Sequence, residues 1–320
     1  MDRPGSLTAL RTAVSAFAHR YLADESPWCV ALSGGPDSLA LTAVAAELRP
    51  TTALIVDHDL QPDSGAVAAT ARTQAAGLGC VDARVLRVEV GRQGGPEAAA
   101  RSARYAALRE ASRGAAVLLG HTLDDQAETV LLGLGRGSGP RSIAGMRAYQ
   151  PPWCRPLLAV RRAVTHAACD ELGLTPWHDP HNRDPAYTRA RLRGEVLPLL
   201  EDVLGGGVAE ALARTAVALR EDCDALDDLA ASELTVAGMD RALATSTLSR
   251  LPDALRRRVI RGWLLTGGAT GLTDEQIRRV DDLVVNWHGQ GGVAVGSSLR
   301  SQRLVATRSD GELRLHREPA

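Results

Sequence analysis

Ser33-Gly34-Gly35-Pro36-Asp37-Ser38 is the stretch of this chain best suited to chemistry. A short apolar run, Trp28 to Leu32, precedes it, and an Ala-rich segment with helical spacing, Leu39 to Leu48, follows it. A turn from strand to helix offers free backbone N–H groups and the positive end of a helix dipole, so it attracts oxyanions. Gly34 and Gly35 let the backbone curl closely around them, and Ser33 and Ser38 add hydroxyl donors. Asp37 would repel a phosphate unless a cation bridges the two, as Mg²⁺ does at nucleotide sites. The same residues could form an ordinary capped turn. Their place after a first strand and before a helix favours a nucleotide loop of Ser33, Gly34, Gly35, Pro36, Asp37 and Ser38.

His121-Thr122-Leu123-Asp124-Asp125-Gln126-Ala127-Glu128-Thr129 is the second candidate. It begins just after a fourth apolar strand, at the edge where open α/β sheets bind ligands. On a helix, Asp124 and Asp125 lie four and three residues before Glu128, while Leu123, Ala127, Val130, Leu131 and Leu134 make an apolar stripe. Three carboxylates on one exposed region should seek Mg²⁺ or a substrate ammonium. Acids also favour a first helical turn, and Thr122 with Asp125 fits a capping box, so both readings stand. Downstream, Arg136-Gly137-Ser138-Gly139 places a cation beside glycines, as a phosphate clamp does. Asp179-Pro180-His181-Asn182-Arg183-Asp184 is followed by Arg189, Arg191 and Arg193, either a solvated surface or a polyanion contact. His58, His166 and His178 are isolated and read as structural.

These residues need a frame. Trp28 to Leu32, Thr52 to Val56, Ala83 to Val90 and Ala115 to Leu119 read as strands, alternating with helices at Leu39 to Leu48, Ser64 to Leu78, Pro96 to Arg113 and Leu123 to Leu134. Such alternation predicts an α/β fold: a doubly wound, mostly parallel sheet with helices on both faces. Residues 1–204 form the catalytic domain in this reading. Gly205-Gly206-Gly207 marks the boundary to a smaller, mainly helical domain of residues 205–320, with short strands from Gly291 onward.

Composition removes several classes. All 37 basic residues are Arg, with no Lys, so neither a Walker A loop nor Schiff-base chemistry is available. The net charge of −1 excludes a globally basic nucleic-acid coater, yet Gly133 to Arg193 carries ten Arg against four acids, a local phosphate-binding footprint. Five cysteines without a C-x-x-C pair speak against zinc and iron–sulfur sites. No secretory segment or membrane-spanning apolar run is present, which predicts a cytoplasmic protein.

The first motif resembles the S-G-G-x-D-S loop of the PP-loop ATP pyrophosphatase superfamily. Adding V-D-H-D-L, A-R-S-A-R-Y, H-T-L-D-D-Q-A-E-T, R-G-S-G, D-P-H-N-R-D and R-A-R-L-R-G-E-V-L-P, in order from about residue 28 to 200, the chain is similar to the tRNA(Ile)-lysidine synthetases. That resemblance implies ATP, with Mg²⁺, adenylylating C2 of the wobble cytidine in a CAU-anticodon isoleucine tRNA. Free lysine then displaces AMP to give lysidine. It also implies roles: Asp37 and its loop hold ATP; Arg101 or Arg104 neutralises phosphate charge; Asp125 and Glu128 bind lysine. Asp37 and Asp124 hold the metal, and Arg136, Arg189, Arg191 and Arg193 contact tRNA or phosphate. The C-terminal domain would bind tRNA, and a homodimer is allowed. The rivals are another PP-loop tRNA modifier, such as a cytidine thiolase, and a small-molecule ATP-pyrophosphatase synthetase.

Overall fold

The computed structural model describes residues 5–22, 25–58, 63–91, 95–137, 139–180, 184–236, 242–297 and 302–319. Ser138 of the Arg136 loop, Asp59 and Leu60, and His181 to Arg183 lie outside the described residues. By its internal contacts the chain divides into two units, Met1–Ala216 and Val217–Ala320.

In the first unit, α1 (Ser6–Tyr21) leads into β1 (Trp28–Ala31), α2 (Pro36–Leu48), β2 (Thr51–Asp57), α3 (Ser64–Gly77), β3 (Asp82–Arg87), α4 (Pro96–Ser112) and β4 (Val117–Leu118). Then follow α5 (Leu123–Gly135), α6 (Pro140–Ile143), β5 (Tyr149–Gln150), β6 (Trp153–Cys154), α7 (Arg162–Glu171) and α8 (Thr188–Arg191). A wide π-helical turn, Leu192–Val196, joins α8 to α9 (Leu197–Val203). The sheet order is β3-β2-β1-β4-β6-β5, parallel throughout except for the β5–β6 pair. The doubly wound expectation therefore holds.

Alternation along the strands explains the layers. Trp28 and Val30 of β1, Ala53 and Ile55 of β2 and Leu118 of β4 face a core shared with α1, α2, α3 and α7. Their neighbours Cys29, Ala31, Leu54 and Val117 face the other way, onto Leu108 of α4 and Trp153. Period-two side chains from a sheet covered on both faces must be apolar at every position, and these runs are. The chain winds from β1 outward through β2 and β3, then returns to place β4 on the other side of β1. The loops after β1 and β4 consequently diverge, which opens a crevice at the carboxyl ends of those strands. Gly120, just after β4, is required there: a Cβ would lie 3.0 Å from the Asp37 backbone carbonyl.

In α5, Leu123, Ala127 and Val130 are buried as the stripe predicts, but Leu134 is exposed. The three glycines 205–207 all have positive φ, between +74° and +89°, and break the chain between α9 and α10 (Val208–Val236). The division between units falls further on, within α10, because one continuous helix carries the chain past the glycines.

The second unit contains β7 (Ala242–Ala244), α11 (Thr245–Leu248), α12 (Asp253–Thr266), α13 (Asp274–Val285), β8 (Val293–Val295), β9 (Gln302–Ser309) and β10 (Glu312–Pro319). Its strands form an antiparallel sheet in the order β7-β10-β9-β8. Strands do follow Gly291, as β8 to β10, but β9 and β10 are eight residues long rather than short, and the domain expected to be mainly helical is built on this sheet as much as on its helices; β7, three residues long, carries no strand pattern. Val259, Ile260 and Trp263 of α12 pack with Val280 and Leu283 of α13 and with Leu304, Ala306 and Leu313 of the sheet.

One charged group is buried with this core. Asp281 lies 2.5 Å from Arg256 Nε and 2.9 Å from Arg257 Nε, and the Asp281 and Arg256 side chains are only 3% and 5% exposed. Removing one partner of a buried pair leaves the other uncompensated. Asp281→Ala should therefore destabilise the chain by about 3–5 kcal/mol. Urea denaturation checks this, and a loss under about 1 kcal/mol would show that the arginines find water instead.

Candidate active site

The loop after β1 is held by its own hydroxyls. Ser33 N–H donates to Ser38 Oγ at 3.2 Å, and Ser38 Oγ–H donates to the Gly35 carbonyl at 2.9 Å. Gly34 takes φ +81°, which a side chain would strain. Its carbonyl accepts from Trp177 N–H at 2.9 Å, so the segment after α7 clamps the loop. Pro36 occupies the first turn of α2, where its missing N–H costs nothing.

A cavity of about 540 Å³ opens above this loop. Ser33, Gly35, Pro36, Asp37 and Arg104 line it, with Ile55, Val56, Val67 and Ala68 as an apolar wall. His58, His166, Trp177 and His178 line it too, so the three histidines read as isolated meet at one cavity. Its size suits a nucleotide-class ligand. Ser38 is buried beneath the loop. Arg104 is half-buried and has no carboxylate partner among the described residues. Burial, with Arg101 nearby, holds its guanidinium below the usual arginine range; an arginine still keeps its charge. Arg101 is exposed and turned onto Tyr105, its Nη2 3.4 Å from the phenol oxygen.

The acidic helix departs from expectation. Glu128 is fully buried rather than on an exposed face. Arg193 donates to it through Nε at 2.8 Å and Nη2 at 3.3 Å, and Arg162 through Nη1 at 3.3 Å. Asp125 is both cap and charge partner. Its Oδ2 accepts from Thr122 N–H and Thr122 Oγ–H, each at 2.8 Å, and its Oδ1 accepts from Arg162 Nη2 at 2.6 Å. The capping reading thus holds through Oδ2, while the cation found on Oδ1 is the chain's own Arg162 rather than Mg²⁺ or a substrate ammonium. Burial works against the Asp125 charge, but Arg162 and the Thr122 hydrogen bonds outweigh it and hold the carboxyl below its usual range.

The geometry bears on two assignments. Arg193 faces inward onto Asp125 and Glu128 and lines the cavity, so of the tRNA or phosphate contact expected of it, it suits the phosphate. Asp124 has Oδ2 occupied by the Arg162 backbone N–H at 2.7 Å and Oδ1 3.7 Å from Arg161. Both its oxygens thus face arginines, and it is not in the cavity wall where Asp37 stands. Asp37 lines the cavity, with Oδ1 accepting from the Thr165 hydroxyl and Oδ2 3.5 Å from Arg162 Nε. Burial pushes its carboxyl up, opposed by Thr165 and Arg162. Among the described residues no group of three His, Cys, Asp or Glu could hold a metal. Asp37, with Asp57 and Asp179 also in the cavity lining, still fits Mg²⁺, which is held largely by phosphate oxygens and water.

Of the remaining arginines, Arg191 is exposed and pairs with Glu195 at 2.9 Å, Arg189 is half-buried, and Arg136 is exposed at the end of α5. Arg162 and His121 were not singled out as site residues. Arg162 carries no local motif; only its partners identify it. His121 stands at the head of the acidic motif, and its buried Nδ1 has no hydrogen-bond partner among the described residues.

A family model described as a PP-loop domain matches residues 7–200, and one described as the TilS substrate binding domain matches residues 243–316. The chain is 71% identical over 323 residues to a tRNA(Ile)-lysidine synthase of Mycobacterium bovis, with 100% of both chains covered. It is 60% identical over 309 residues to one of Rhodococcus erythropolis, covering 96% of this chain and 95% of that one. Among solved structures, the U34-tRNA thiolase NcsA from Methanococcus maripaludis aligns with a TM-score of 0.55 at 17% identity, over 68% of this chain and 80% of that one. That likeness is one of fold.

Burial pushes the His121 pKa from its ordinary 6.5 down to about 3. The unfolded chain therefore binds a proton that the folded chain refuses between those values, and stability falls as pH drops through that window. His121→Asn lacks this penalty. Wild type should lose Tm relative to the variant between pH 7 and pH 5; parallel Tm curves would show that folded His121 titrates normally.

Proposed function

The chain belongs to the tRNA(Ile)-lysidine synthase family, and from that membership we propose how its own residues carry out ATP-dependent ligation of free lysine to C2 of a wobble cytidine. The tRNA is the isoleucine species with a CAU anticodon. One observation supports the lysine assignment above others: the charge balance beside the nucleotide loop. Within this ion-pair cluster three carboxylates, Asp37, Asp125 and Glu128, meet two guanidiniums, Arg162 and Arg193, an excess of negative charge that complements an ammonium.

The loop Ser33 to Ser38 holds ATP on the N-terminus of α2. Mg²⁺, when bound beside Asp37, screens the phosphate charge. Arg104, in the cavity wall, takes up charge that grows on the phosphates as the α–β bond breaks. The cytidine C2 oxygen attacks the α-phosphorus and diphosphate leaves. The lysine side-chain ammonium, drawn to Asp125 with the charge of Glu128 buried behind it, gives up a proton, and the resulting amine attacks C2. The C–O bond breaks, AMP departs with that oxygen, and the amine proton passes to an acceptor in the site. A carboxylate of the acidic helix can take it. Arg136, Arg189 and Arg191 contact the tRNA, the second unit has a tRNA-binding role of its own, and the cytoplasm is where that substrate resides. No helix among the described residues is long and apolar enough to cross a membrane.

A thiolase reading gains no support from the cysteines: Cys29, Cys154, Cys169 and Cys223 are buried, Cys80 is half-buried, and all are free.

With Mg²⁺-ATP, radiolabelled lysine and a CAU isoleucine tRNA transcript, label should enter the tRNA only when ATP and the wobble cytidine are both present. Incorporation independent of that cytidine would overturn the reading. Asp125→Asn keeps an acceptor for Thr122 but loses the charge, so the lysine KM should rise at least tenfold, roughly the worth of one charge-assisted bond, with ATP binding little changed. An unaltered lysine KM removes Asp125 from the role.

Among the described residues the Arg191 side chain pairs with Glu195 alone, an exposed pair that contributes little to stability and leaves it available to a phosphate. Arg191→Ala should weaken tRNA binding and flatten its log–log salt slope by about one counterion. An unchanged slope would take Arg191 off the tRNA surface.

A further inference from the structure

Arg162 touches both halves of the site. Its backbone N–H donates to Asp124 Oδ2 at 2.7 Å, which pins the first residue of α7 to the first turn of α5. Its carbonyl accepts from Thr165 Oγ at 2.7 Å, and the same hydroxyl contacts Asp37. Its guanidinium spreads over three carboxylates. Nη2 lies 2.6 Å from Asp125 Oδ1, Nη1 lies 3.3 Å from Glu128 Oε1, and Nε lies 3.5 Å from Asp37 Oδ2. Nε is buried and makes no hydrogen bond among the described residues. The side chain also lines the cavity above the nucleotide loop.

An ammonium arriving at Asp125 meets a specific obstacle. Oδ2 already accepts two hydrogen bonds from Thr122, so Oδ1 is the oxygen left to it, and Arg162 holds that oxygen at 2.6 Å. Arg193 is the lesser competitor, 3.4 Å from Oδ1 and anchored through its Nε to Glu128 at 2.8 Å. A polyphosphate beside Asp37 carries several negative charges and attracts the cations of the cavity wall. One of these is the Arg162 guanidinium, whose Nε lies 3.5 Å from Asp37 Oδ2.

We propose that Arg162 is a positioning residue that couples the two substrates: nucleotide phosphates draw its guanidinium toward Asp37, and Asp125 Oδ1 is thereby released to accept the ammonium of lysine. The coupling rests on the lysine reading given above. It requires no movement of α5 or α7, because the backbone of Arg162 stays tied to Asp124 while only the side chain shifts. Linkage makes the effect reciprocal: each ligand tightens the other by the same factor.

The test is calorimetric titration of lysine into the full chain, alone and with saturating Mg²⁺ and an ATP analogue carrying a methylene between its α- and β-phosphorus. Wild type should bind lysine about tenfold more tightly with the analogue, within the usual range of such couplings. In Arg162→Gln the ratio should fall to about one while the analogue itself still binds, a pattern that simple loss of structure does not produce. Arg162→Lys keeps the charge without the fork and should restore part of the ratio; it serves equally if the Gln variant fails to fold. Lysine affinity in wild type that ignores the analogue overturns the coupling alone, as does a wild-type ratio in a folded Arg162 variant. Failure of wild type to bind lysine under both conditions overturns the lysine reading and the coupling together.

Discussion

A carboxylate with no access to water has to be neutralised by the fold around it, and Glu128 is in that position. Burying one such charge unpaired costs several kcal/mol, a large part of any domain's net stability. Arg162 and Arg193 supply the neutralisation, from the start of α7 and from the turn before α9. That requirement brings three separated segments to one point. It fixes α5 beside the nucleotide loop, because the guanidinium that serves Glu128 also reaches Asp37. Structure and chemistry here share the same ions.

The nucleotide loop was legible in the sequence because everything it needs is local. Two glycines, two hydroxyls and a helix start fall within six residues, and the strand before them is visible as an apolar run. The parallel sheet was legible for a related reason: a strand buried on both faces has to be apolar at every position. Leu134 fails the same logic, since a stripe drawn from helical spacing does not know where the neighbouring element ends.

The acidic helix was half legible. Its cap is a matter of three residues, Thr122 to Asp125. Its charge partners are not, because Arg162 and Arg193 stand 34 and 65 residues from Glu128. A run of arginines states the sign of a charge and leaves the identity of its partner open. Arg193 and Arg191, two residues apart, consequently serve different ends: one turns inward to a buried carboxylate, the other pairs with Glu195 at the surface. The second unit was least legible, since β7 is too short to show alternation and joins the sheet only through β10.

The π-helical turn at Leu192–Val196 has a consequence for how this chain can vary in length. A π turn is wider than the α-helical turns that flank it here. Each residue of a helix rotates the next by about 100°. Adding or deleting one residue in this segment would therefore swing Arg193 to another side of the helix and strand Glu128 with one guanidinium. Insertions that a surface loop absorbs freely are closed to this stretch, and related chains should differ here in residue type while keeping the same spacing.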